Sequence, residues 1–160
     1  MYTWVKRIVL ALIVIAVAIQ FFWPSRTNPA VDPRKDISAN LMVPPDVAAI
    51  LARSCNDCHS NQTVWPWYSH VAPVSWLVAY DVNHGRAALN FSEWGTPDTR
   101  KNNEMLGEIC KEVTDKEMPG FVYTIMHPSA KLTDANIQTI CLWTRSVQQG
   151  AAGETKLITQ

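Results

Sequence analysis

Apolar and polar positions divide the chain into an apolar run, a proline-rich stretch and a longer part with helical periodicity. The run covers residues 8–23, and only Gln20 interrupts it. With the residues just before it, the run reaches about 20 residues, the length of a helix that crosses a bilayer. Lys6 and Arg7 precede the run, which predicts a cytoplasmic N-terminus. Residues 1–23 are therefore predicted to be a transmembrane signal anchor that passes once through the inner (cytoplasmic) membrane.

A cleaved signal peptide is the alternative for this segment. Ala16-Val17-Ala18 has the small-x-small form of a cleavage site. Cleavage there would leave apolar residues 19–23 exposed at a new N-terminus, so the length of the run favours the uncleaved anchor. Under both interpretations the rest of the chain is expected in the periplasm, on the outer side of the cytoplasmic membrane.

The remaining sequence predicts an extended linker followed by helices. Residues 24–45 contain five prolines and scattered charges, which is typical of a semi-rigid linker. Beyond it, apolar residues recur at i, i+3 and i+4, and no stretch shows sustained strand alternation. We predict an all-α domain over residues 46–150, with Gly85 as a possible helix break, and a loose tail over residues 151–160. The four predicted helices cover residues 44–55, 73–89, 103–114 and, after Thr133 as N-cap, 134–150.

Composition narrows the functional classes. The formal net charge is zero, so the chain lacks the basic surface that nucleic-acid binding requires. Seven Trp and four Tyr are many for so small a domain. Large aromatic side chains suit a domain that encloses a big, flat, apolar cofactor.

The residues from Cys55 to His59 form the pattern C-x-x-C-H, which is the haem-attachment signature. Two thiols at this spacing reach the two vinyl groups on one edge of the ring, and the next residue can place its imidazole on the iron. A redox thiol pair usually accompanies a βαβ pattern, and a zinc site needs a second pair of ligands. Neither is visible. We predict one haem c, covalently attached through Cys55 and Cys58, with His59 as the proximal iron ligand.

Several residues could supply the sixth iron ligand. Met118, followed by Pro119, resembles the Met-Pro that supplies the distal thioether in many class I cytochromes c, and a thioether would raise the potential. His127 is the main alternative, because it lies in the loop before the last predicted helix and would give a lower potential. The remaining possibilities are an open site or one of His70, His84 and Met126.

Further residues are assigned to the cofactor or to a cross-link. Aromatic residues close to the motif are expected to pack on the haem: Trp65, Trp67 and Tyr68. Three polar-tipped residues could bind the haem propionates: Arg86, Asn90 and Trp94. A guanidinium pairs best with carboxylates, which favours Arg86, and the alternative for Arg86 is a surface role. Cys110 and Cys141 lie on predicted apolar faces and are disulfide candidates in an oxidising compartment, the alternative being two buried thiols.

Two longer segments carry a family resemblance. One runs from Cys55 to Trp94 and reads CNDCHSNQTVWPWYSHVAPVSWLVAYDVNHGRAALNFSEW, and the other reads ICKEVTDKEMPGFVYTIMHPSAKLTDANIQTICLWT. Together they closely resemble the bacterial haem-binding domain family, in which C-x-x-C-H is followed by a WPWYS-type segment. The resemblance covers about residues 40–148. It implies a small cytochrome c-like haem domain, often tethered to a membrane, and it does not imply a particular substrate.

These features favour a membrane-anchored, mono-haem c-type cytochrome that passes electrons between redox partner proteins of an electron-transfer chain. A haem-based gas or redox sensor, with an open or displaceable sixth ligand, is the alternative. A peroxidase-type enzyme is disfavoured, because it usually needs a second haem and the sequence has one C-x-x-C-H.

Overall fold

The computed structural model describes residues 2–95 and 99–158. The described part is helical and contains no strand, which confirms the all-α prediction. Residue 1 of the predicted anchor and residues 159 and 160 of the predicted tail lie outside the described residues. The α-helices are α1 (Tyr2–Ala18), α2 (Ile37–Asn40), α3 (Pro45–Ser54), α4 (Asn56–His59), α5 (Val74–Ala88), α6 (Thr99–Thr114), α7 (Phe121–Met126) and α8 (Asp134–Ile158). Short 3-10 turns cover Ile19–Phe21, Pro33–Lys35, Trp67–His70, Phe91–Glu93 and Pro128–Ala130.

The hydrophobic core lies between α3, α6 and α8. Helix α8 packs against both α6 and α3, whereas α5 packs against α4 and the Trp67–His70 turn. The apolar stripe predicted for α3 is buried, because residues three and four positions apart share one face of a helix. The buried cluster consists of Ile37, Val47, Ile50, Leu51, Phe91, Trp94, Leu106, Ile109, Val113, Ile140, Cys141 and Trp143.

Helix α8 begins where the sequence predicts and ends later. Thr133 Oγ1 accepts a hydrogen bond from the backbone N–H of Asn136 at 3.2 Å, and Asn136 Oδ1 accepts one from the N–H of Thr133 at 3.2 Å. The predicted stop at Gly150 is wrong, because α8 continues to Ile158. Glycine inside a helix costs only about 1 kcal/mol, and the residues that follow include Ala, Glu, Lys and Leu, which are good helix formers.

Helix α5 is not broken at Gly85. The helix continues through this glycine to Ala88, and the backbone N–H of Leu89 closes it by donating to the Gly85 carbonyl at 2.9 Å. The possible break predicted at Gly85 is therefore wrong. Helix α6 starts at Thr99, four residues before the predicted position.

The segment 24–45, predicted to be an extended spacer, packs against the domain along part of its length. Arg26 Nη1 donates to the carbonyl of Ser69 at 2.6 Å. Ile37 is only 6 % exposed and belongs to the core cluster. Prolines restrict the backbone of such a segment, but its apolar side chains still gain free energy when they are buried.

Helix α1 and the turn that follows form a 20-residue apolar unit, Tyr2–Phe21, in which no residue is buried. By length and composition this unit can cross a membrane, and a signal sequence near the N-terminus would have the same character.

A disulfide joins the two long helices of the core. Cys110 of α6 and Cys141 of α8, the pair identified as candidates in the sequence, are bonded, with their Cα atoms 4.8 Å apart. Thr114 Oγ1 lies 3.5 Å from Cys141 Sγ and donates to the Cys110 carbonyl at 2.7 Å. The bond therefore closes a loop that contains the α6–α7 connection and all of α7.

Candidate haem site

The C-x-x-C-H motif forms a single helical turn at the end of α3. The backbone N–H of Cys55 donates to the Leu51 carbonyl at 2.9 Å, so α3 runs directly into the motif. The Cys55 carbonyl then accepts from the N–H groups of Cys58 and His59, at 3.1 and 3.0 Å. These bonds fix Cys55, Cys58 and His59 on a rigid element.

The imidazole of His59 is oriented by the chain that follows α5. Its Nδ1 lies 3.1 Å from the carbonyl oxygen of Leu89, so the N–H belongs on Nδ1 and Nε2 is left as the lone-pair donor. Burial lowers the pKa of His59, although hydrogen bonds to backbone carbonyls act in the opposite direction. A neutral imidazole whose second nitrogen is held by a carbonyl is the usual form of a histidine that binds a metal.

The two thiols of the motif are half-buried, and their raised pKa values are those of weakly reactive thiols. Burial raises the pKa of Cys55 to about 12 and that of Cys58 to about 11. Redox-active C-x-x-C pairs have lowered thiol pKa values. In addition, the described residues contain no group of three or more His, Cys, Asp or Glu that could hold a metal ion. The redox-pair and zinc alternatives therefore have no structural support.

A cavity of about 470 Å³ opens beside Cys55 and His59. Pockets for small molecules and cofactors usually measure about 300–1,000 Å³ and have mainly apolar walls. Apolar side chains form most of these walls as well, while Lys101 and three glutamates of α6 lie at the same site. The lining residues are Ser54, Cys55, His59, Ala88, Leu89, Phe91, Lys101, Glu104, Met105, Glu108, Ile109, Glu112, Val113, Met118 and Pro119. The Cys55 thiol, the imidazole, the thioether and the apolar walls fit a haem, whereas Cys58 is not among the lining residues.

Met118 reaches this cavity because the chain reverses at the end of α6. Lys116 has a φ of 62°, in the left-handed region, which turns the backbone back on itself. The N–H groups of Glu117 and Met118 then both donate to the Glu112 carbonyl, at 3.1 and 3.2 Å. Met118 and His59 consequently line the same cavity.

His127, the main alternative for the sixth ligand, lies elsewhere. Its ring stacks on Tyr123 with 4.3 Å between the centroids, and its Nδ1 lies 3.2 Å from the Tyr123 carbonyl oxygen. Its Nε2 lies 3.4 Å from the hydroxyl oxygen of Tyr68. His127 is not among the cavity residues, so the arrangement favours Met118.

The remaining ligand candidates are also absent from the cavity lining. His70 and Met126 are exposed, and His84 stacks on Tyr80 at 3.7 Å on the outer surface of α5. Met105, which the sequence reasoning missed, does line the cavity and supplies a second thioether there. Its position just before Leu106, on the apolar side of α6, was the signal that could have revealed it.

The aromatic residues predicted to pack on the haem do not line the cavity. Trp65 Nε1 donates to Asn28 Oδ1 at 3.2 Å, Trp67 is 75 % exposed, and Tyr68 faces His127. Trp67 and Tyr68 lie in the Trp67–His70 turn, which packs on α5, whereas much of the cavity wall comes from α6 and the loop after it. The aromatic wall is Phe91, whose ring lies 6.2 Å from that of His59.

Arg86 is engaged by the protein itself rather than placed at the cavity. Its Nε donates to the Ser60 carbonyl at 2.8 Å, and its Nη1 donates to the Thr27 carbonyl at 2.9 Å. Its Nη2 donates to Asn28 Oδ1 and to Thr63 Oγ1, both at 2.7 Å. Arg86 therefore ties the segment before the domain to the loop after the motif, and the propionate prediction for it has no structural support.

Of the other two polar-tipped residues, Trp94 keeps a free donor. Asn90 Nδ2 donates a hydrogen bond to Asn61 Oδ1 at 2.8 Å. Trp94 is 1 % exposed, and its indole N–H has no hydrogen-bond partner among the described residues. It packs in the same core cluster as Phe91 and Ile109, which line the cavity. An unpaired buried donor costs about 1–3 kcal/mol.

Asp57, inside the motif, connects the motif turn to two other parts of the chain through its carboxylate. Its Oδ1 accepts from the N–H of Val64 at 3.1 Å, and its Oδ2 accepts from the Tyr123 hydroxyl at 2.9 Å. Burial and the Asp57 carboxylate raise the pKa of Tyr123, so this phenol stays protonated as the donor. The sequence offered no signal for this contact, which joins residues 66 positions apart.

Gly85 lets α5 approach the motif closely, and its replacement by alanine should be destabilising. A Cβ at this position would lie 2.5 Å from the Cys58 carbonyl oxygen, so either α5 or the motif must shift. We expect Gly85→Ala to lower the free energy of unfolding by about 1–3 kcal/mol, the usual cost of overpacking. Urea unfolding of the holoprotein measures this.

Gly107 provides the matched control for Gly85. It also lies inside a helix, and the nearest atom to an added Cβ would be Gln148 Nε2 at 3.6 Å, an ordinary contact. Gly107→Ala is expected to stabilise by about 0.5–1 kcal/mol, because alanine loses less backbone entropy. Equal effects of the two substitutions would contradict the close approach at Cys58.

A protein-family model described as a haem-binding domain matches residues 14–146. No curated protein and no solved structure matches the chain significantly. The match includes the last five residues of α1, the segment 24–45, the C-x-x-C-H turn and both disulfide cysteines. It covers most of the chain, and it agrees with the cavity beside Cys55 and His59. The chain belongs to the haem-binding domain family.

Proposed function

We propose that this protein is a membrane-anchored, mono-haem c-type cytochrome that carries electrons on the outer side of the inner membrane. The observation that carries the proposal is that His59 and Met118 line one apolar cavity next to Cys55. An imidazole and a thioether are the axial ligands of electron-transferring cytochromes c, whereas a gas-binding or peroxidase site needs an open position. The role proposed is that of an electron carrier rather than an enzyme.

The roles of the chain's residues follow from their positions. Cys55 and Cys58 would form the two thioether bonds, which retain the cofactor in a small domain. His59 would bind one side of the iron, held in orientation by the Leu89 carbonyl. Met118 would bind the other side from the loop after α6. When bound, haem supplies a reversible one-electron iron couple.

The walls of the cavity would tune that couple in two directions. The apolar side chains exclude water and, together with a thioether ligand, favour reduced iron and a higher potential. Glu104, Glu108 and Glu112 of α6 also line the cavity, and carboxylates near the iron favour its more positive, oxidised form. The indole N–H of Trp94 is the proposed donor to a propionate.

An optical spectrum combined with a redox titration of the full chain tests this proposal. We expect a six-coordinate, low-spin haem with a thioether-to-iron charge-transfer band in the oxidised protein. The haem should also stay with the polypeptide after denaturation, because thioether bonds survive unfolding. A five-coordinate, high-spin ferrous haem that binds carbon monoxide readily would refute electron transfer and favour the sensor.

A further inference from the structure

The end of the apolar helix is attached to the haem domain by specific hydrogen bonds. Gln20 Nε2 donates to the Ala72 carbonyl at 3.1 Å, and the Ala72 N–H donates to Gln20 Oε1 at 3.0 Å. The indole N–H of Trp76 donates to the Phe22 carbonyl at 2.7 Å. The start of α5 is therefore held beside the end of the apolar unit.

The length of the apolar unit fixes where its end would lie in a bilayer. Tyr2–Phe21 has 20 residues, which corresponds to about 30 Å of helix, the thickness of the hydrocarbon core. If the unit spans the bilayer, Gln20 and Phe22 lie where hydrocarbon meets the headgroups. Ala72 and Trp76, which are hydrogen-bonded to them, must lie at that boundary too.

The surface at this point is apolar. Exposed side chains there have fractional exposures of 38–58 % and belong to the residues before α5 and its first two turns. Farther along α5 the exposed residues become polar, with Asp81 and His84. Trp and Tyr are enriched at membrane–water interfaces, because their rings are amphipathic. We call this surface the α5 apolar face; it consists of Val71, Val74, Trp76, Leu77 and Tyr80.

We propose that the α5 apolar face rests in the headgroup region of the bilayer that the anchor crosses. This inference relies on the proposed anchor and goes beyond it, because a simple tether would leave the domain free to tumble. The lipid interface is the occupant because the face is continuous with the end of the anchor and becomes polar away from it. Burying the apolar side chains in the interface contributes in proportion to their buried area.

The arrangement has a consequence for electron transfer. No residue of the α5 apolar face lines the haem cavity. Membrane contact through this face therefore leaves the cavity rim available to a redox partner, and it presents that rim in one fixed orientation. Pre-orientation lowers the rotational entropy that a partner complex must otherwise lose.

Site-specific labelling of the full chain in phosphatidylcholine–phosphatidylglycerol vesicles tests the proposal. With haem on Cys55 and Cys58 and a disulfide between the other cysteines, an introduced cysteine is the only free thiol, and the unmodified chain should take no label. Leu77→Cys is compared with Leu142→Cys on α8 and with Ile13→Cys in the anchor. The replaced side chains have similar exposures: 46 % for Leu77, 58 % for Leu142 and 55 % for Ile13. Each carries an environment-sensitive fluorophore, and spin-labelled lipids quench it.

We expect several-fold stronger quenching at position 77 than at position 142, together with a blue-shifted emission at position 77. Gln20→Ala should reduce the quenching at position 77, because it removes both bonds to Ala72. Equal quenching at positions 77 and 142, with strong quenching at position 13, would overturn this inference and leave the anchor in place. Absence of quenching at position 13 would overturn the anchor itself and this inference with it.

Discussion

Replacing Met118 by alanine is expected to abolish the thioether-to-iron charge-transfer band and to lower the reduction potential. Among the sixth-ligand candidates identified in the sequence, Met118 is the one that lines the cavity. Alanine at this position cannot coordinate iron. The fall should be on the order of 0.1–0.2 V, a fraction of the range of about 0.8 V that axial ligands set. The oxidised spectrum and a redox titration of the full chain measure both changes.

Two further substitutions serve as controls for Met118→Ala. Met105→Ala removes the other thioether of the same cavity, and His127→Ala removes the main alternative ligand. Both should keep the charge-transfer band. If His127→Ala removes it or changes the ligation, or if Met118→Ala leaves the spectrum unchanged, the assignment of Met118 fails. If Met105→Ala alone removes the band, the ligand comes from α6 instead.

Removing the disulfide with Cys110→Ala and Cys141→Ala is expected to lower the free energy of unfolding by roughly 3–4 kcal/mol. The two cysteines are 31 residues apart, and the bond restricts that loop in the unfolded chain. It also joins α6, which lines the cavity, to α8, its main packing partner. Urea unfolding followed by circular dichroism measures the change.

Reduction of the parent chain gives an independent check on this value. A reductant should destabilise the parent by about the same amount and should leave the double variant unaffected, since thioether bonds to haem resist reduction. A count of two free thiols in denatured, unreduced holoprotein would contradict the disulfide directly. So would equal stability of the parent and the double variant.

Local patterns were reliable wherever short-range physics decided the outcome. The α3 stripe and the Thr133 cap depend on contacts within about one helical turn, and the structure has both. The end of α8 was missed, because a single glycine is a weak stop signal when helix-forming residues follow it. Gly85 was misread for a related reason: its role is close packing on Cys58 across the fold, not flexibility in α5.

Assignments to the cofactor were less reliable, because proximity in sequence is not proximity in space. Trp65, Trp67 and Tyr68 follow the motif closely, yet Trp65 bonds to Asn28 and the turn with Trp67 and Tyr68 packs on α5. Arg86, on α5 itself, also bonds to Asn28 in the segment before the domain. Met105, which nothing near the motif indicated, lines the cavity because α6 packs across it. A wall formed by a distant helix cannot be read from residues beside the attachment site.

The sequence by itself determined the helical class and the apolar N-terminal unit, and it predicted the chemistry of haem attachment, because each depends on residue types at fixed short spacings. Tertiary structure alone decided which side chains surround the cavity. It brought Met118 to the same cavity as His59 and placed His127 against Tyr123, and it fastened Gln20 to Ala72. These are contacts between residues far apart in the chain, and packing of the whole core selects them rather than any local pattern.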